Sequence, residues 1–173
     1  VGAFAGLNDG KIINCSTDNV EVTGVEKVGG AVGMAMTDSQ LENVSIYESC
    51  VVEGTNNVGG IIGYTNNNVS IKGCSNGAKV KGNDYVGGLI GLNEKSIYDS
   101  NFKGSVDATG IYTAGITGYS LNDTEIMYVY NLGYIKSQDN YTAGIAGYLG
   151  FNAELKESFN DGLIESNTKY TAG

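Results

Sequence analysis

The sequence predicts an all-β fold: a right-handed parallel β-helix (β-solenoid) of six coils of about 28 residues, three short strands per coil, with residues 1–173 as a single repeat domain. Three observations predict it. A glycine-rich run recurs six times at nearly constant spacing. The segments between are short and rich in Val, Ile, Thr and Tyr, as strands are. Proline, which cannot donate to a strand ladder, is absent.

The first element of each repeat is Val/Thr, Gly/Ala, Gly, an apolar residue, a variable residue and Gly. It reads Val28-Gly29-Gly30-Ala31-Val32-Gly33, Val58-Gly59-Gly60-Ile61-Ile62-Gly63 and Val86-Gly87-Gly88-Leu89-Ile90-Gly91. The last two full copies, from Thr113 to Gly118 and from Thr142 to Gly147, replace Val-Gly by Thr-Ala. From Gly6 onward the final Gly steps by 27, 30, 28, 27 and 29 residues, and a large residue follows it each time: Leu7, Met34, Tyr64, Leu92, Tyr119, Tyr148.

The second element is Ile12 to Cys15, repeated at Ile71-Lys72-Gly73-Cys74, Ile97 to Ser100, Ile126 to Val129 and Leu155 to Ser158. The third is an aliphatic residue six positions further on, Val80, Val106, Ile135 or Ile164, reached through a turn carrying Gly77, Gly104, Gly133 or Gly162. The second repeat departs from this pattern, with a longer loop expected over residues 34–45 and no turn Gly between Ile46 and Val52. Helical repeats are disfavoured, because no stretch keeps a 3.6-residue apolar period over ten residues and glycine interrupts every run. Propeller blades would need longer, four-stranded units.

Stacking lets equivalent residues of successive coils sit about 4.8 Å above one another. Variable loops bulge from an edge without disturbing the ladder. Val1 opens in mid-repeat and Gly173 closes in one, so the sequence reads as an excerpt of a longer chain with neighbouring coils or a capping domain at each end.

Gly88-Leu89-Ile90-Gly91, with its near copies Gly60-Ile61-Ile62-Gly63 and Gly115-Ile116-Thr117-Gly118, resembles the GLUG motif. The flanking Ile, Cys or Ser, turn Gly and Val are similar to that family too. The resemblance covers essentially the whole chain. It implies a bacterial secreted or cell-surface protein of adhesin-like type; such repeats also occur in non-catalytic parts of IgA-cleaving metallopeptidases. It carries over no catalytic residue and no ligand.

Charge and composition restrict the chemistry. The chain holds ten Lys, no Arg and a net charge of −9. That speaks against nucleic acid and anionic membranes as partners. No apolar run of transmembrane length is present, so no membrane insertion is expected. With no His, neither Ser-His-Asp nor Cys-His catalysis nor an HExxH metal site can be built. Glycosidase chemistry needs two carboxylates about 5–9.5 Å apart. Asp99 with Glu94, or Asp123 with Glu125, are the candidates, and nothing in the sequence marks either pair as special. Loop oxygens at Asn8-Asp9, Asp38, Asn93-Glu94 and Asn122-Asp123 could suit calcium, but their spacing does not recur and Asn and Asp favour turns anyway. No catalytic residue, metal or cofactor is expected. Cys15, Cys50 and Cys74 are too few and too scattered for a disulfide framework. Asn76, Asn131 and Asn160 share a turn position and predict an amide ladder.

Tyrosine carries the clearest binding signal. Tyr85, Tyr112, Tyr141 and Tyr170 immediately precede the glycine motif in four successive coils and predict one column; Tyr64, Tyr119 and Tyr148 define another. On a straight strand the two columns face opposite ways. Either Tyr85 points outward as part of a ligand-binding row, with Val86, Gly88, Ile90 and Leu92 inside, or Tyr85 and Leu89 pack the core. The function expected is that of a non-catalytic extracellular adhesin-like segment, a rigid stalk or a presented binding face. Its partners are a host glycan or protein ligand and the neighbouring repeats of the parent chain. A carbohydrate-binding surface on the Tyr column is the first alternative and a polysaccharide-active enzyme the second.

Overall fold

The computed structural model describes residues 1–167 and 169–173. Each circuit of the chain visits five faces. In the first coil these are the strands Ala5–Asn8, Lys11–Ile13, Ser16–Thr17, Glu21–Thr23 and Glu26–Gly29. Each strand is repeated in every later coil and pairs in parallel with its equivalent above and below. Among the described residues the result is five parallel sheets of six strands, numbered one to five here in that order. Register runs from Ala5 to Val32, Ile62, Ile90, Thr117 and Ala146, so the steps of 27 to 30 residues seen in the sequence are the coils themselves.

There are five strands per coil, not three, because two runs that look continuous in the sequence are each bent. The run at Ser70–Lys72 breaks at Gly73, whose φ is +65°, and resumes as Ser75–Asn76. That corner is left-handed in all six coils, at Asn14, Asn43, Gly73, Asp99, Tyr128 and Glu157. The glycine motif likewise ends one strand at Asn56–Gly59 and starts another at Ile62–Thr65. The second coil also differs from expectation. Residues 34–45 keep the register of the third coil without insertion. The extra residues lie between Ile46 and Val52, six positions apart where Asn76 and Val80 are four apart.

The interior is a set of aliphatic columns. Ile12, Leu41, Ile71, Ile97, Ile126 and Leu155 stack in sheet two, and Val22, Val52, Val80, Val106, Ile135 and Ile164 stack in sheet four. The residues of the middle coils are fully buried. Burying one such side chain contributes about 1.5–3 kcal/mol, so the ladder is held mainly by these columns. Cys74 lies in an inward column with Val44 and Ser100, and burial pushes its thiol up to about 11. Cys50 sits in the irregular turn of the second coil, buried, its Sγ 3.7 Å from Thr17 Oγ1. All three cysteines are free.

The motif glycines have a packing reason. A Cβ on Gly88 would lie 2.1 Å from the Gly115 carbonyl oxygen and 2.5 Å from the Phe102 ring. Gly60, Gly115 and Gly144 face Asn76, Asn131 and Asn160 in the same way. These four partners form one inward column of sheet three, so the glycines make room for it. The amide ladder is therefore interrupted. Phe102 separates Asn76 from Asn131, and direct amide bonding from coil to coil occurs from Asn131 to Asn160. Asn76 instead donates to the Gly88 carbonyl at 2.7 Å and accepts from the Ala78 N–H at 2.9 Å, which satisfies a fully buried amide.

Candidate functional site

The two tyrosine columns lie on the same surface and touch. Down the first, Tyr85 stacks on Tyr112 with ring centroids 5.5 Å apart, Tyr112 on Tyr141 at 4.9 Å and Tyr141 on Tyr170 at 5.1 Å. In the second, Tyr119 stacks on Tyr148 at 4.4 Å. Edge-to-face contacts join the columns: Tyr85 with Tyr119, Tyr112 with Tyr119, and Tyr112 with Tyr148. Lys27 and Tyr64 occupy the same two columns lower down, and there the ammonium sits 5.1 Å from the ring centroid.

Neither straight-strand alternation describes this segment. Val86, Leu89 and Ile90 are all buried, while Tyr85 and Leu92 are both half-exposed. The cause is backbone geometry. Tyr85, Tyr112 and Tyr141 have φ of 55°, 61° and 65°, and Lys27 and Asn57 hold the same corner at 53° and 52°. A left-handed residue followed by a glycine bend breaks the period of two, so both columns emerge on one side. The conformation costs about 1–2 kcal/mol at each tyrosine. Each ring pair returns about 0.5–1.5 kcal/mol beyond its buried area. Tyr112 contacts four rings, so packing outweighs strain there.

The stacking decides what this surface can offer. Both faces of Tyr112 and of Tyr141 are covered by neighbouring rings. Tyr85 has one stacked neighbour, because Asn57 stands next to it in the column. Burial, and then the neighbouring phenols, push the hydroxyls of Tyr112 and Tyr119 above their ordinary range. Tyr64, held by burial and by its hydrogen bond to Glu94, is pushed up to about 12.

The carboxylates singled out in the sequence sit among the outer columns. Glu94 accepts from the Tyr64 hydroxyl, and Asp99 lies 3.7 Å from Lys72 Nζ. Glu125 accepts from the Tyr98 hydroxyl at 2.6 Å and from Lys156 at 3.2 Å. Those two contacts hold Glu125 below the usual carboxylate range, opposite to what a general acid requires. Asp38 and Asp123 have φ of 67° and 57°, a turn conformation that Asp tolerates. Among the described residues no three of His, Cys, Asp and Glu converge on one point, and no helix is long and apolar enough to cross a membrane.

A groove of about 520 Å³ lies beside the irregular turn of the second coil, away from the tyrosine columns. Its walls include Asp18, Ser45, Tyr47, Glu48, Ser75 and Lys103. Tyr47 is 51% exposed and stacks on no other ring among the described residues. Sequence reasoning missed this place. The missing turn Gly between Ile46 and Val52 was its one signal. No family model, curated protein or solved structure matches the chain.

Proposed function

We propose that the chain is a non-catalytic, rigid spacer segment of a bacterial secreted or surface protein of adhesin-like type, wound right-handed as parallel crossovers are. The observation that carries this reading is the unbroken register of all five sheets through six coils. Among the described residues such a ladder has no hinge: each coil contacts its neighbours through every face, and equivalent side chains fill the interior continuously. The tyrosine columns add to it. Their rings spend their faces on one another, which stiffens the stack along the solenoid axis and leaves little open aromatic face for a sugar ring. The GLUG-like runs support the extracellular location.

A spacer keeps its length under load. Pulled by its ends in an optical trap, the chain should hold its folded length and then lose coils in steps. Each coil of about 28 residues releases roughly 95 Å of extended chain. Gradual lengthening from the lowest forces, without steps, overturns the reading.

A further inference from the structure

We propose that the groove beside the irregular turn of the second coil is a binding site for an uncharged saccharide. The inference does not rest on the spacer reading.

The site owes its existence to the two added residues. In later coils the chain passes from sheet three to sheet four through a short turn, as at Gly77. In the second coil the longer turn carries Tyr47, Glu48 and Ser49 out over the neighbouring coils. Glu48 lies directly against Gly77, where a Cβ would stand 3.3 Å from the Glu48 backbone nitrogen. The turn is fastened on its other side as well. Ser49 donates to the Asp18 carboxylate, and its hydroxyl accepts from the Asn19 N–H at 2.9 Å. The groove is thus held in shape before a ligand arrives, which lowers the ordering cost of binding.

Its lining selects the ligand class. Tyr47 supplies an aromatic surface that, unlike the ladder tyrosines, no other ring among the described residues covers; the C–H faces of a pyranose can lie on it. Ser45 and Ser75 belong to one outward hydroxyl column, and Ser75 is oriented by donating to Asn101 at 2.9 Å. Glu48 and Lys103 add an acceptor and a donor, and Lys103 has no ion-pair partner among the described residues. Two carboxylates against one ammonium, on a chain of net charge −9, disfavour phosphate and acidic sugars. The strand Ser45–Ile46 is already paired on both sides, so no peptide can add to it as a strand. The volume falls within the range of small-ligand sites, about 300–1,000 Å³.

The test is saturation-transfer NMR on the whole chain with the neutral disaccharides maltose, cellobiose and lactose, each at millimolar concentration. At least one should receive saturation on its pyranose C–H protons. Tyr47→Ala should weaken its binding at least ten-fold and Ser75→Ala several-fold, while Tyr170→Ala, in the tyrosine column, should leave it unchanged. Tyr47 is a surface residue, and an unaltered circular dichroism spectrum confirms that its variant is folded. Absence of transfer to all three sugars overturns the inference, as does binding that survives Tyr47→Ala. Loss with Tyr170→Ala in place of Tyr47→Ala would assign the sugar to the tyrosine column and overturn it equally.

Discussion

The rings of Tyr112 and Tyr119 stand edge-to-face, 5.0 Å between centroids and 84° between planes, across a glycine bend that separates two sheets. This contact joins the two tyrosine columns, and it exists because Tyr112 adopts a left-handed backbone. Ring packing and backbone strain therefore oppose one another at a single residue, and substitution separates them. Tyr112→Ala removes the ring and keeps the strain; it should lower stability by about 2–3 kcal/mol. Tyr112→Gly removes both and should cost about 1 kcal/mol less. Urea unfolding of the two variants checks this. In an ordinary strand glycine is the worse of the two, so the reversed order is diagnostic.

Two of the repeat glycines should behave differently. A Cβ at Gly88 meets the Gly115 carbonyl at 2.1 Å and the Phe102 ring at 2.5 Å, whereas one at Gly77 comes no nearer than 3.3 Å, to the Glu48 backbone. Gly88→Ala should cost about 3 kcal/mol, because the Gly115 backbone cannot retreat without breaking the ladder. Gly77→Ala should stay within about 1 kcal/mol of the parent. Thermal unfolding of both variants decides the matter, and a neutral Gly88→Ala would contradict the packing described for the motif.

The tyrosine surface also sets an alkaline limit. Burial and the Glu94 hydrogen bond push Tyr64 up to about 12 in the folded chain from an ordinary 10, and burial shifts Tyr112 and Tyr119 in the same direction. The folded state thus holds these protons more tightly than the unfolded state. Their contribution to stability is complete below pH 10 and is lost as pH rises from 10 towards 12. Unfolding free energy measured across that window should fall, and Tyr64→Phe should flatten the fall. Phenolate absorbance should show Tyr64 ionising above the ordinary tyrosine range.

Repeat period, strand character and parallel stacking were legible in the sequence because each rests on a signal repeated six times, such as the Ile12, Leu41, Ile71, Ile97 column. The number of strands was not. Corners at Tyr128 and Glu157 use residue types that do not announce a left-handed turn, although Asn14, Asn43 and Gly73 at the same place do. The same blindness hid the union of the tyrosine columns, since the parity of Tyr85 and Leu92 depends on a φ angle that no propensity for Tyr predicts. Phe102 was overlooked because it takes, in its coil, the place that Asn76 and Asn131 hold in the coils on either side. The groove at Tyr47 was overlooked because an insertion that occurs once has no repeat to amplify it.

Rigidity along the solenoid is the central claim, and a distance distribution tests it most directly. Ile13 and Lys156 occupy the same outward column of sheet two, five coil steps apart. With Cys15 replaced by Ser, spin labels at Ile13→Cys and Lys156→Cys should give one narrow peak in pulsed dipolar spectroscopy, centred near 24 Å from five spacings of about 4.8 Å. A broad distribution, or a main peak well beyond 35 Å, would contradict a continuous ladder and with it the spacer reading.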